Sequence, residues 1–488
     1  MTKLAGRSTS SLAEAFKGLR ISVIGAARSG VSAARILTRL QAQVLLSDSS
    51  PLTKIGAERM AEIAATGARF VAGAGVEEAL PPETELAVTS PGVPRSAEVL
   101  REAVRRGIPI WSEVELAYRL AEMPLIAVTG TNGKTTTTLL IAAMLEQAKR
   151  HPIVAGNISA DEIKRTLVDA AFSTSKLAPE AERQAGSAIL VAEISSFQLE
   201  WVERFAPHVA VLTNITPDHL NRYDGFEDYA QTKARLFAGQ APEDWAVLNG
   251  DDPTVRRIGE SGLTARRLWF TTQAEAPAAG PGAWAAEDRV QVRLLGKQTP
   301  EFTLPIREFS PALSGHHSVQ NVLAAAAAAL AVGADPEAIA EAVRTFPGVA
   351  HRMEFVREVA GVRYVNNSMC TNVAAAVSSL QSLNLPGVII LGGADKGLDF
   401  APLVPALQQH ARQVFLIGQA ADKMEQVFRA GGYQVILRAE TLEEAVKAAG
   451  RAARQGETVL LCPACASFDM FRDFEERGAA FRRAVNTL

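Results

Sequence analysis

The chain has 488 residues, 48% hydrophobic and 21% charged, with a formal net charge of −3; that length accommodates roughly three domains, and the near-neutral charge gives no case for nucleic acid or acidic membranes as partners. Its three cysteines, Cys370, Cys462 and Cys465, exclude a disulfide scaffold. Residues 1–17 lack an apolar signal core and the longest near-apolar run, 322–334, is well short of the ~20 residues a membrane span needs, so a cytoplasmic protein without membrane insertion is expected.

From about residue 21 to 120 strand-like and helix-like segments alternate. Ile21-Ser22-Val23-Ile24 reads as a strand, Gly25-Ala26-Ala27-Arg28-Ser29-Gly30 as a turn into a helix, and Val44-Leu45-Leu46-Ser47-Asp48 as the next strand. This is the layout of a dinucleotide-type βαβ unit, with Asp48 placed to meet a ribose or a nearby polar group. Ala27 stands where a second Gly lets a pyrophosphate rest on the backbone, which disfavours NAD and leaves a nucleotide in another pose open. A plain Rossmann-like packing unit explains these residues equally well. Leu86-Ala87-Val88-Thr89-Ser90 is a further strand, followed by the turn Pro91-Gly92-Val93-Pro94 at the edge where such sheets bind ligands.

A second unit runs from about 121 to 348. The apolar strand Leu125-Ile126-Ala127-Val128 leads into Thr129-Gly130-Thr131-Asn132-Gly133-Lys134-Thr135-Thr136 and then a helical pattern. Strand, glycine turn, Gly-Lys-Thr and helix form a phosphate-binding arrangement: glycines let backbone N–H groups approach an anion, and the helix N-terminus favours negative charge. Lys134 would reach the β- and γ-phosphates, and the Thr135 hydroxyl would face Mg²⁺. The strict pattern asks for a Gly where this chain has Val128.

Downstream, Ile189-Leu190-Val191-Ala192-Glu193 is an apolar strand ending in a carboxylate, the place where an ATPase holds Mg²⁺. Val209-Ala210-Val211-Leu212 is another strand, leading to Asp218 and His219 at the same sheet edge; that placement favours a metal or phosphate role for His219 over a structural one. Lys233, on a helix, reads by itself as a solvated surface charge. Residues 174–186, rich in Ala, Glu and Ser, read as a surface excursion.

The α/β rhythm returns from about 349, with strands expected at 388–391, 414–417, 434–437 and 458–461. Gly392-Gly393-Ala394-Asp395-Lys396-Gly397 follows the first of them. Cys462-Pro463-Ala464-Cys465 has redox-motif spacing, but CxxC also arises by chance in turns, and no further Cys pair supports zinc.

Taken together, these segments resemble the Mur ligases, the ATP-dependent amide-forming enzymes of peptidoglycan synthesis. The resemblance covers nearly the whole chain. It rests on Thr129-Gly130-Thr131-Asn132-Gly133-Lys134-Thr135, Ala155-Gly156-Asn157, Glu193-Ile194-Ser195-Ser196-Phe197-Gln198-Leu199, and Asp218-His219-Leu220-Asn221-Arg222-Tyr223. It continues through Lys233, His351-Arg352-Met353-Glu354, Thr371-Asn372 and Pro463-Ala464-Cys465-Ala466-Ser467. Within the family, the Glu193 and Cys465 segments point to the D-glutamate-adding branch.

The resemblance implies an α/β fold of three domains: a Rossmann-like UDP domain over 1–120, a central P-loop ATPase domain with a mostly parallel sheet over 121–348, and a Rossmann-like amino-acid domain over 349–488. It implies UDP-N-acetylmuramoyl-L-alanine, ATP and D-glutamate as substrates, an acyl phosphate as intermediate, and a monomer. Gly130, Thr131, Asn132, Gly133, Lys134, Thr135, Thr136, Asn321 and Arg352 would bind ATP. Thr135 and Glu193 would hold one Mg²⁺, and His219 with a carbamylated Lys233 a second; Lys134, His219 and Lys233 would serve catalysis. Arg28, Ser29, Asp48, Gly92 and Asn157 would meet the UDP substrate, and Thr371, Lys396, Ser467 and Phe474 the incoming amino acid.

The chain departs from the family at Asn366-Asn367-Ser368-Met369-Cys370-Thr371-Asn372, where Asn-Asp-Ser-Lys-Ala-Thr-Asn is usual. A carboxylate and an ammonium are missing together. That leaves another amino acid such as L-glutamate, or a catalytically silent nucleotide-sugar binding protein, as alternatives.

Overall fold

The computed structural model describes residues 14–158, 165–180, 188–220, 222–273, 280–294, 299–313, 316–383, 385–395 and 397–488. They form three sheets in two compact units. One unit comprises residues 1–310 with 316–346, the other 311–315 with 347–488.

The first sheet is built from β1 (Arg20–Ile24), β2 (Gln43–Asp48), β3 (Arg69–Ala72), β4 (Leu86–Thr89) and β5 (Ile110–Ser112). Its order is β3-β2-β1-β4-β5, all parallel. Strand order reverses between β1 and β4, and the crevice outside such a switch point is where open α/β sheets take ligands. Gly25 and Gly30 are required by that crevice. A Cβ on Gly25, whose φ is +93°, would stand 2.9 Å from the Ser90 Cβ, and one on Gly30 would stand 1.8 Å from the Gly25 carbonyl oxygen.

The same unit holds a nine-stranded sheet of β6 (Leu125–Thr129), β7 (Pro152–Gly156), β8 (Ile189–Glu193), β9 (Val209–Leu212), β10 (Trp245–Asn249), β11 (Arg266–Thr271), β12 (Gly282–Ala286), β13 (Arg289–Arg293) and β14 (Phe302–Pro305). Its order is β14-β13-β12-β11-β10-β9-β6-β8-β7, and only the β12–β13 and β13–β14 pairs are antiparallel. β6, β8 and β9 are buried along their whole length, as parallel strands covered on both faces must be. The alanine-rich helix His316–Ala331 packs on β10 to β13 and on the helix Lys134–Gln147. Among the described residues no helix is long and apolar enough to cross a membrane.

The two sheets share one core. Ser32 and Arg35 both reach Asp169 at 2.7 Å, and Trp111 Nε1 donates to Glu203 at 3.1 Å. The expected surface excursion at 174–186 begins otherwise. Thr174, Ser175 and Ala178 are buried, because Ser175 turns the chain back onto the helix Leu167–Thr174, its hydroxyl donating to the Phe172 carbonyl.

The second unit contains β15 (Glu354–Val359), β16 (Val362–Asn366), β17 (Gly387–Gly392), β18 (Ala411–Ile417), β19 (Ile436–Arg438) and β20 (Thr458–Leu461). The order is β15-β16-β20-β17-β18-β19, parallel except for the β15–β16 hairpin. Ala360 and Gly361, both at positive φ, make its two-residue turn. Separate apolar clusters cover the two faces. All four expected strands are present; the hairpin is additional.

Candidate active site

The phosphate loop begins where β6 ends. Val128 is fully buried in β6, opposite Glu193 of β8 and Val211 of β9, so the position of the missing Gly belongs to the strand and not to the loop. The turn proper uses two glycines that tolerate nothing larger. Gly130 has φ +150° and its Cβ would stand 2.0 Å from Thr213 Oγ1; Gly133 has φ +82° and its Cβ would stand 2.5 Å from Asn321 Oδ1. β9 supplies the clamp. Asn132 N donates to Asn214 Oδ1 at 2.9 Å, while Thr213 Oγ1 and Asn214 Nδ2 donate to the Asn132 carbonyl at 2.6 and 3.0 Å. Thr131 joins the Thr216 backbone and the Tyr229 hydroxyl at 3.0–3.2 Å. Lys134 opens the helix and folds its ammonium over the loop, onto the carbonyls of Gly130 at 3.0 Å and Thr131 at 2.8 Å. Thr136 lies in the same first turn. Asn321 sits behind the loop, accepting from Thr137 Oγ1 at 3.3 Å.

Beside the loop stands a hydroxyl–carboxylate pair. Thr135 Oγ1 donates to Glu193 Oε2 at 2.7 Å, and Asn157 Nδ2 donates to Glu193 Oε1 at 3.1 Å. Glu193 is only 3% exposed. Gly156 brings Asn157 there: its φ is +100° and a Cβ would stand 2.3 Å from the Glu193 carbonyl oxygen. Among the described residues no three His, Cys, Asp or Glu side chains converge. A cation here would be held by a mixed oxygen set, which suits Mg²⁺.

Lys233 is not a surface charge. It is 1% exposed at the end of the helix Phe226–Ala234, with Nζ donating to the Gly130 carbonyl at 2.7 Å and lying 4.8 Å from the centre of the Tyr229 ring. Burial, and then the neighbouring Lys134 ammonium, hold its pKa well below the ordinary lysine value against the opposing pull of Asp218 and Glu193. His219 adopts φ +52°, packs its ring 4.9 Å from that of Phe197, and has the Asp218 carboxylate at 3.6 Å. Arg222 ties this segment to the first sheet, pairing with both Glu200 oxygens at 2.7 and 2.8 Å and donating to the Val93 carbonyl at 2.9 Å.

At the crevice of the first sheet, Asp48 is turned inward. Its oxygens accept the Ala26 and Ser50 N–H groups, each at 2.8 Å, so it shapes the β1 loop and keeps lone pairs for a ligand. Arg28 and Gly92 are exposed and Ser29 half-buried at the same edge. Asn157 is placed on Glu193 instead.

In the second unit Arg352 lies between His351 and Met353, both at positive φ. Thr371 is half-buried just before the helix Val373–Gln381, and Ser467 is buried after β20. Phe474 opens the last helix, its carbonyl accepting the Ser368 hydroxyl at 2.7 Å. Lys396 lies outside the described residues. Arg477, which sequence reasoning passed over, is 1% exposed and binds Ser368 Oγ and O at 3.0 and 2.9 Å and the carbonyls of Cys465 and Ala466 at 3.1 and 3.2 Å, joining the loop before Thr371 to the loop of Ser467.

Family models describe the same two regions. The Mur ligase middle domain matches residues 128–329, and the Mur ligase glutamate ligase domain matches residues 351–465. A protein of Pelotomaculum thermopropionicum named UDP-N-acetylmuramoylalanine–D-glutamate ligase is 41% identical over 473 residues, 97% of this chain and 98% of that one. The chain belongs to the Mur ligase family. A like-named protein of Salinibacter ruber is 40% identical over 477 residues, covering 96% and 98%. The fold is also that of the UDP-N-acetylmuramate–alanine ligase from Thermotoga maritima, at a TM-score of 0.58 and 18% identity over 96% of this chain and 99% of that one.

Val128 is thus a buried residue of β6, and the loop proper is Gly130-Thr131-Asn132-Gly133-Lys134-Thr135. The residues missed were Thr213 and Asn214, directly after β9, and Arg477. For the first two, a polar Thr-Asn at the end of a wholly apolar strand, beside the phosphate loop, was the available signal. Arg477 had none, since its burial depends on the Ser368 loop, 109 residues earlier, closing over it together with the Cys465–Ala466 segment.

Proposed function

We propose that this Mur ligase uses ATP to join D-glutamate to UDP-N-acetylmuramoyl-L-alanine in the cytoplasm, acting as a monomer. The observation that carries the reading is the phosphate loop with Thr135 hydrogen-bonded to the buried Glu193 carboxylate, in a chain aligned end to end with ligases of that name.

The chemical difficulty is bringing a substrate carboxylate up to a triphosphate. Lys134, now resting on carbonyls of its own loop, would swing to the β- and γ-phosphates and supply positive charge where the phosphoryl group transfers. Thr135 and Glu193 would hold one Mg²⁺, and His219 with Lys233 a second. Bound Mg²⁺ would offset the phosphate charge and favour an in-line arrangement. Lys233 suits its role only if it changes charge, since an ammonium has donors alone. Its buried amine, held toward the neutral form, is a nucleophile for CO₂; the N–C bond forms, a proton leaves, and the carbamate presents anionic oxygens. The substrate carboxylate attacks the γ-phosphorus and ADP leaves; the amine of the amino acid then attacks the acyl-phosphate carbonyl and gives up a proton, and phosphate departs from the tetrahedral intermediate to leave the amide. Asp48, Arg28, Ser29 and Gly92 would receive the UDP group, Asn321 and Arg352 the nucleotide, and Thr371, Lys396, Ser467 and Phe474 the amino acid, with the cation and hydroxyl meeting its carboxylates.

The test is phosphate release from UDP-N-acetylmuramoyl-L-alanine, ATP and Mg²⁺ with each candidate amino acid. D-glutamate should be required. No release with any amino acid from folded protein overturns the ligase reading, and a preference for L-glutamate overturns the assigned substrate.

A further inference from the structure

Three thiols stand outside the reaction, all free and buried. Sequence spacing pairs Cys462 with Cys465, but the fold pairs it with Cys370. The Cys462 thiol donates to Cys370 Sγ at 3.5 Å. Strand pairing sets up this contact: β16 and β20 run side by side with Asn366 opposite Leu461, Cys462 follows β20 directly, and the turn in which Cys370 N–H donates to the Asn367 carbonyl brings Cys370 back beside it. Cys370 also donates to the Asn372 carbonyl at 3.7 Å, and Asn367 Nδ2 approaches Cys462 Sγ at 3.8 Å. Cys370 is 4% exposed and Cys462 fully buried. The Cys462 hydrogen bond lowers the Cys370 pKa, whereas that same bond and burial raise that of Cys462. Cys370 immediately precedes Thr371, and Cys462 opens the segment that reaches Ser467.

We propose that Cys370 and Cys462 are a peroxide-responsive thiol pair, whose oxidation to a disulfide shifts the Thr371 loop and weakens binding of the amino-acid substrate. The Cys370 thiolate attacks one oxygen of hydrogen peroxide. An S–O bond forms, the O–O bond breaks, and the departing hydroxide takes a proton to become water. Cys462 then loses its proton and attacks the sulfenyl sulfur; the S–S bond forms, the S–O bond breaks, and a second water leaves. Two thiols give up two electrons, and one peroxide becomes two waters. The sulfurs close from 3.5 Å to about 2.05 Å, and the segment carrying Thr371 takes up part of that movement. Ångström-scale displacement of a positioning group is enough to change kcat/KM by an order of magnitude or more. The kinetic consequence rests on the proposed roles of Thr371 and Ser467; the crosslink itself does not.

The experiment treats the full-length protein with hydrogen peroxide, alkylates remaining thiols after denaturation, and maps peptides by mass spectrometry. The thiol count should fall from three to one, with a Cys370–Cys462 linked peptide. The D-glutamate KM should rise about tenfold while the ATP KM holds, and dithiothreitol should reverse both changes. C465S should still form the crosslink, and C462S should instead stop at a Cys370 sulfenic acid. Three surviving thiols, or a Cys462–Cys465 link, overturn the pair, and a Cys370–Cys462 link with unchanged kinetics overturns the switch. Absent D-glutamate-dependent phosphate release from untreated protein would overturn the ligase reading, while the thiol count would still decide the pair.

Discussion

Glu113→Gln probes how the first sheet is joined to the ATP-binding sheet. Glu113 follows β5 directly, opens the helix Glu113–Leu120 and is 1% exposed. Its carboxylate accepts the Val168 N–H at 2.7 Å and the Gln198 amide at 3.4 Å. Burial outweighs these bonds and pushes its pKa from 4.5 up to about 7. Below pH 4.5 both folded and unfolded chains hold this proton. Between that pH and about 7 the unfolded chain releases it while the folded chain keeps it, so the group's contribution to stability is lost as pH rises. At about 1.4 kcal/mol per pKa unit, the loss is on the order of 3 kcal/mol. Glutamine has no proton to release and keeps an oxygen for Val168. The stability of wild type relative to E113Q should therefore fall by on the order of 3 kcal/mol between about pH 4.5 and about pH 8. Guanidinium unfolding of both proteins across that range measures it, taken from the transition that reports the unit containing Glu113. A difference level to within about 0.5 kcal/mol would refute the argument that this carboxyl is buried protonated.

Lys233→Ala should lower kcat by more than about a hundredfold, given the several kcal/mol a metal site contributes, with partial rescue by added formate or acetate; full activity in a steady-state phosphate assay would return Lys233 to a packing role. Gly130→Ala should raise the ATP KM at least about tenfold, because a Cβ 2.0 Å from Thr213 Oγ1 forces the loop off its clamp at a cost of about 1–3 kcal/mol. An unchanged ATP KM in G130A would mean the loop has more room than its backbone indicates.

The parts of this fold legible from sequence were those that local pattern determines. β6, β8 and β9 are short apolar runs ended by polar residues, β17 runs into a Gly-Gly turn and β20 into Cys-Pro, and their burial on both faces is what such runs mean. β15 was missed because Glu354-Phe355-Val356-Arg357-Glu358-Val359 is an edge strand with mixed polarity, and only its pairing with β16 makes it a strand. The phosphate loop was legible because its glycines are required by backbone conformation at fixed spacing. Lys233 was not. Its helix looks ordinary, and what buries the amine is packing against a loop more than a hundred residues earlier in the chain, where Nζ donates to the Gly130 carbonyl. Cys370 and Cys462 show the same limit: strand adjacency brings them together, whereas chain spacing points to Cys465.

With Asn367 and Met369, the segment 366–372 carries neither a carboxylate nor an ammonium. Asn367 is buried and uses both halves of its amide. Oδ1 accepts the Met353 N–H at 3.2 Å, and Nδ2 donates to Ser379 Oγ at 2.8 Å. The Ser379 hydroxyl proton is committed to the Ala375 carbonyl at 2.7 Å, so a carboxylate at 367 would face a lone pair. No ammonium stands at 369, and the donors of the nearby Arg477 are engaged by Ser368, Cys465 and Ala466. Asn367→Asp alone should therefore destabilise the second unit by about 1–3 kcal/mol. Adding Met369→Lys should recover most of that loss, because the lysine supplies the absent counter-charge. Thermal unfolding of N367D, M369K and the double variant forms a cycle whose coupling term measures the pair. A coupling near zero, with N367D as stable as wild type, would show that the two replacements are unrelated and that Asn367 was selected for something other than the loss of its partner.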